Sequence, residues 1–144
     1  MPTTINGADL RYIVDCGALV GISHSTNNAL RAAAFQLLEQ GHMRVPTGVM
    51  GELKDAYKDE HDDLLLHVKE KVRVKPAHTL MIASLASKAN SGFKIEPYGS
   101  ADWLAAAVAI CEGCVLVTTR ERKPFYMSLV SCAILTVDEL PLGP

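Results

Sequence analysis

Four carboxylates carry most of the chemistry this sequence could offer. Asp15 follows the apolar run "YIV", Glu52 lies within "VPTGVMGELKDAY", Asp102 stands near the start of an alanine-rich stretch, and Glu121 comes three residues after "VLVT". Carboxylate oxygens are hard ligands suited to small divalent cations. Clustered acids also raise one another's pKa unless a cation offsets the repulsion. Taken singly, each acid has a structural explanation: Asp15 begins a turn, Glu52 faces solvent, Asp102 answers a helix dipole, and Glu121 pairs with Arg120 or Arg122. Whether they form a site depends on the elements that position them.

Residues 10–14, "LRYIV", read as a short strand ending at Asp15 and a turn at Cys16-Gly17. After the polar "SHSTNN", the spacing of Leu30, Ala33, Ala34, Leu37 and Leu38 predicts a helix that Gly41 stops. A second helix is expected from about Thr47, just after Pro46, with Val49, Met50, Leu53, Ala56 and Tyr57 as its apolar stripe. The acidic "KDEHDD" at 58–63 marks a junction into another helix reaching Lys71. His61, Asp62 and Asp63 within it point in different directions on a helix, so they read as a solvated face rather than a ligand cluster.

Helix signals continue from Pro76 to about Asn90, and "NSGFKIEPYGS" then supplies turn residues. Ser100 is placed to cap a further helix that Gly113 ends. The strand "CVLVT", a charged turn "TTRERKPF", a helical piece near 126–130 and a final strand "CAILT" complete the sketch. Strands alternating with helices predict a three-layer α/β domain with a mainly parallel sheet. Ligands of such sheets gather outside the carboxyl ends of the strands, where Asp15 and the 119–121 segment both fall.

Composition agrees with one domain over residues 1–144: hydrophobic residues make up 49% and aromatics only 6%, a balance suited to helices packed on a sheet. No apolar run approaches the roughly 20 residues needed to cross a bilayer, and "MPTTINGADL" has no export pattern. The expected setting is cytoplasmic. Cys111 and Cys114 form a C-x-x-C without a second pair near Cys16 or Cys132, which argues against structural zinc. A net charge of −2 gives no global attraction to nucleic acid, so local patches must supply any. The candidates are Lys69, Lys71, Arg73 and Lys75, and Arg120, Arg122 and Lys123. Neither a D-x-D after the first strand nor a phosphate-cradling glycine loop occurs.

With these elements in place the chain resembles the PIN domains, a family of metal-dependent nucleases. The resemblance rests on "YIVDCGALVGI" at 12–22, "VPTGVMGELKDAY" at 45–57, "SADWLAAAVAICEGCVLVTTRE" at 100–121 and "PF" at 124–125, and spans about 10–137. It implies an α/β/α fold and places the catalytic, metal-binding acids at Asp15, Glu52, Asp102 and Glu121, with Thr119 as a supporting hydroxyl. Cys16 stands where the family commonly has Thr or Ser, and Glu121 is one methylene longer than the more usual Asp. The implied cofactor is Mg²⁺ or Mn²⁺ and the implied activity an endoribonuclease, with Arg120, Arg122 or Lys123 meeting the RNA backbone. Small proteins of this type resemble the VapC ribonuclease toxins, which implies an antitoxin partner and a homodimer. The Leu64-Leu65-Leu66 run, hard to bury on one helical face, also predicts a homodimer through the 60–90 region. The alternative is a PIN-like binding or scaffold module with weak or no nuclease activity.

Overall fold

The strand β1 (Tyr12–Val14) occupies the middle of the sheet, and all three of its residues are buried. In a strand covered on both faces the usual apolar/polar alternation disappears, and a continuous apolar run such as "YIV" results. The structure is a computed structural model that describes residues 11–90 and 100–141. On one side of β1 lie β2 (Met43–Pro46) and then β3 (Lys71–Val72); on the other lie β4 (Val115–Thr118) and then β5 (Ile134–Thr136). Every pairing is parallel, with Ile13 opposite both Arg44 of β2 and Leu116 of β4. The helices flank this sheet, giving the expected α/β/α fold with a sheet that is wholly parallel.

The helices are α1 (Cys16–His24), α2 (Asn28–Glu39), α3 (Thr47–Ala56), α4 (Lys58–Leu65), α5 (Pro76–Asn90), α6 (Ser100–Glu112) and α7 (Lys123–Leu129). The starts of α3 and α6, both ends of α5, and β4 fall where the sequence predicts them. Gly41 (φ 75°) and Gly113 (φ 70°) adopt the left-handed conformation that stops α2 and α6, which a side chain would strain.

Four expectations need correction. Cys16-Gly17 is no turn: α1 starts directly after Asp15, and its apolar run "CGALVGI" hides the helical period by which Cys16, Ala18, Leu19 and Ile22 are buried. The strands β2 and β3 were not anticipated; β2 ends in a proline and β3 has two residues, so neither shows a strand pattern. The "KDEHDD" run is no junction: it forms the first six residues of α4, which stops at Leu65 instead of reaching Lys71. His61 in that helix turns inward and is buried, with Nδ1 3.1 Å from Asp62, while Asp63 accepts hydrogen bonds from Ser23 and Arg31. The predicted turn over "NSGFKIEPYGS" lies mostly outside the described residues.

The helix α6 anchors the core. Ala101 and every residue from Trp103 to Ala109 are buried, and the helix packs on β1, β2, β4, α3 and α5. Its alanines let those neighbours approach closely. Gly48 of α3 serves the same end, since a Cβ there would lie 2.7 Å from a Leu104 methyl.

Candidate functional site

The chain runs from β1 to β2 and β3 on one side, then returns to place β4 against the free side of β1. The carboxyl ends of β1 and β4 therefore lie where the winding direction reverses, the usual position of a site in an open parallel sheet. Asp15 leaves β1 with extended backbone (φ −91°, ψ 174°) and caps α1, its Oδ1 accepting from the Ala18 N–H at 2.8 Å. Its Oδ2 accepts from the Thr118 hydroxyl at 2.6 Å and the Tyr126 hydroxyl at 3.0 Å. The side chain is wholly buried. Burial raises the Asp15 pKa, and the three donors together with the nearby Arg122 charge only partly oppose that rise. The Tyr126 hydroxyl is in turn pushed well above its ordinary value, first by burial and then by the Asp15 charge.

Asp102, in the first turn of α6, is the second buried acid. The Arg122 guanidinium forms an ion pair with its Oδ2. Beside it, Trp103 meets Phe125 edge to face, and Phe125 meets Tyr126 in the same manner. A chain of aromatic contacts thus couples the helix bearing Asp102 to the tyrosine that holds Asp15.

Glu52 is half-buried on α3 and faces a cleft of about 530 Å³ with Gly48, Gly51, Asp55, Ala56, Ala101 and Leu104. The Cys16 thiol reports how near these groups lie. Its pKa is pushed up to about 12, first by burial and then by the charges of Glu52 and Asp15, with Arg122 opposing. Asp15, Glu52, Asp102 and Arg122 thus belong to one neighbourhood. Glu121 is exposed on the turn after β4, and no contact ties it to the other three. Among the described residues, no three His, Cys, Asp or Glu side chains come together as a set that could hold a metal ion.

The cations of the turn are engaged with acids. Arg120 pairs with Asp138, Lys123 with Glu139 at 2.9 Å, and Arg122 with Asp102. Thr119 turns its hydroxyl to the Arg122 N–H at 3.3 Å, and its methyl lies against Gly17. The hydroxyl that reaches Asp15 belongs to Thr118. Neither Thr118 nor Tyr126 is among the residues singled out from the sequence, and 103 and 111 positions separate them from Asp15. In the other basic group, Lys69, Lys71, Arg73 and Lys75 are all exposed along the β3 edge.

No family model and no curated protein matches the chain. Solved structures do. VapBC2 from Rickettsia felis, crystallised bound to a DNA fragment from their promoter, matches with a TM-score of 0.67 at 19% identity, over 88% of this chain and 98% of that one. This is a PIN-like fold. The same PIN-like fold appears in VapBC-1 from nontypeable Haemophilus influenzae, with a TM-score of 0.65 at 15% identity, over 90% of this chain and all of the other. PAE2754 from Pyrobaculum aerophilum matches at 0.58 and 20% identity, over 95% of this chain and 94% of that one. At such identities the likeness establishes the fold. No helix among the described residues is long and apolar enough to cross a membrane.

Proposed function

We propose that this protein is a divalent-cation-dependent endoribonuclease, the toxin of a toxin–antitoxin pair. The observation that carries the reading is the burial of two carboxylates, Asp15 and Asp102, beside a third acid, Glu52, at the sheet's switch point in a PIN-like fold. Burying carboxylates is costly unless cations or donors compensate. Asp15 has three donors, and Asp102 has the Arg122 guanidinium. An all-oxygen donor set of this kind is the type that suits Mg²⁺ or Mn²⁺.

In this reading Asp15, Asp102 and Glu52 would hold the ion after drawing closer together, since they form no ready set in the ion-free protein, and Glu121 would be the outermost acid. When bound, such an ion neutralises phosphodiester charge and lowers the pKa of an attacking water. The protein's own residues do the remainder. Ala18, Thr118 and Tyr126 fix the Asp15 carboxylate in one orientation, and Trp103, Phe125 and Tyr126 keep α6 and α7 in step around it. Arg120, Arg122 and Lys123 serve the RNA backbone at the price of their acid partners. Lys71 and Arg73, exposed and without an ion-pair partner among the described residues, offer further phosphate contacts near the carboxyl end of β3.

The VapBC complexes among the structural matches support an antitoxin as partner, and the Glu52 cleft is where its segment would lie. Leu66 and Leu80, 78% and 73% exposed, support a homodimer through the 60–90 region. The proposed location is the cytoplasm. A second reading, a binding module without cleavage, is favoured by one feature: Asp102 already has a cation in Arg122. RNA cleavage with and without chelator separates the two. The nuclease reading expects cleavage that requires Mg²⁺ or Mn²⁺ and falls roughly 100-fold or more in Asp15→Asn. Cleavage indifferent to chelator, or full activity in Asp15→Asn, rejects it.

A further inference from the structure

Among the described residues the edge strand β5 pairs only with β4, and two thiols stand just before the starts of these strands. Leu116 of β4 is in register with Ile134 of β5, and the Leu116 N–H donates to the Ala133 carbonyl at 2.9 Å. Cys114 and Cys132 each lie two residues before that pair, Cys132 in the bend that turns the chain into β5. Continued by one period of the pleat, the parallel register sets them side by side on the face shared by Leu116 and Ile134. Neighbouring strands lie about 4.8 Å apart, within the roughly 4.4–6.8 Å between Cα atoms that a disulfide spans. Electrostatics agrees with the register: burial raises the Cys132 pKa and the charge of Cys114 raises it further, so the two thiols are neighbours.

Both thiols are free, and they differ in access. Cys114 is buried, whereas Cys132 is half-buried and lines a cavity of about 280 Å³ with Lys123, Met127, Val130 and Ile134. Burial raises the Cys114 pKa too, and the Arg44 and Arg11 charges oppose that rise by favouring the thiolate. The other cysteine of the C-x-x-C is turned elsewhere, since Cys111 Sγ donates to the Ala77 carbonyl of α5 at 3.7 Å. We propose that Cys114 and Cys132 are an oxidation site, which a small peroxide reaching the cavity converts to a disulfide that staples β5 to β4. The Cys132 thiolate attacks one peroxide oxygen, the O–O bond breaks, and the departing hydroxide takes up the thiol proton as water, leaving a sulfenic acid. The Cys114 thiolate then attacks the Cys132 sulfur, the S–O bond breaks, and a second water leaves with the Cys114 proton. Two thiols are oxidised and one hydrogen peroxide is reduced to two waters. The bridge closes the chain around residues 115–131, the span that carries Arg122 and Tyr126, and ties down the edge strand at the end of the sheet opposite the acids. It stabilises by restricting the unfolded chain.

The test treats the folded wild-type protein with hydrogen peroxide in chelator at mildly alkaline pH, blocks the remaining thiols and maps the peptides by mass spectrometry, with thermal unfolding before and after. The expected product is one peptide pair joined through Cys114 and Cys132 and parted by dithiothreitol, with a melting temperature higher by roughly 5 °C or more. Cys111→Ser is expected to behave in the same way, and Cys132→Ala to show no rise. The mapping is done on wild-type protein and needs no variant to fold. Peroxide treatment that leaves Cys114 reduced, carries Cys132 only to the sulfinic acid, or joins Cys111 to Cys114 overturns the inference. So does a bridge that forms only in urea, or one that leaves the melting temperature unchanged.

Discussion

The hydroxyl of Tyr126 is expected to stabilise the fold through Asp15 and through little else. The change Tyr126→Phe deletes one oxygen from a wholly buried ring and leaves the apolar packing against Phe125 in place. Asp15 keeps Ala18 and Thr118 as donors but loses the third. A hydrogen bond to a charged acceptor contributes about 1.5–3 kcal/mol, and one between neutral groups about 0.5–1.5 kcal/mol. In the wild-type background, Tyr126→Phe should therefore cost about 2 kcal/mol, or roughly 4–8 °C of melting temperature for a chain of this size. In an Asp15→Asn background the same change should cost about 1 kcal/mol. Urea unfolding of the four proteins in chelator, at neutral pH, yields a coupling energy of about 1 kcal/mol from the cycle. Equal losses in the two backgrounds, or a wild-type loss below about 0.5 kcal/mol, would refute the claim that this hydroxyl acts through the carboxylate.

Three further outcomes are expected. Asp15 has a folded-state pKa above its unfolded value, so its protonation favours the fold below the ordinary carboxylate range, and that contribution disappears as pH rises through the raised pKa. In chelator, the wild-type protein should lose stability relative to Asp15→Asn as pH rises from about 4 toward neutrality, and melting curves that run parallel would contradict this. Iodoacetamide should label exposed Cys111 well before Cys16, which is buried and has a pKa near 12; mass spectrometry after brief exposure reports the order. Glu121→Gln should lower cleavage less than Asp102→Asn and be partly rescued by higher Mn²⁺, because Glu121 is exposed whereas Asp102 is buried; comparable losses would place Glu121 in the inner set.

Much of this architecture is legible in the sequence because glycines, prolines and capping residues mark it. Pro46 precedes α3, Pro76 opens α5, and Gly113 closes α6, each for a backbone reason that acts locally. The elements that escape notice are those whose stability comes from elsewhere. β3 is two residues long and exists because β2 lies beside it, and α1 shows no helical period because apolar residues stand at its less buried positions too. The same division holds at the site. Asp15 can be placed from the strand it follows, but Thr118 and Tyr126 can be matched to it only once β4 and α7 are in position. Thr118, the last residue of β4, is the hydroxyl at Asp15, whereas Thr119 lies beyond the strand and its hydroxyl is taken up by the Arg122 N–H. Arg122, expected at the RNA or beside Glu121, pairs with Asp102 because α6 brings that acid to the start of α7.

The parallel order of the sheet has a consequence in time. β1 is made early and becomes the middle strand, yet its second neighbour, β4, begins only at Val115, and Asp15 gains its last donor at Tyr126. At a synthesis rate of about 5–20 residues per second, the growing chain carries Asp15 without its partners for on the order of 5–20 s. Through that interval the acid neighbourhood cannot form, because β4 and α7 are not yet made. Whatever chemistry the site performs is withheld until the second half of the sheet has docked.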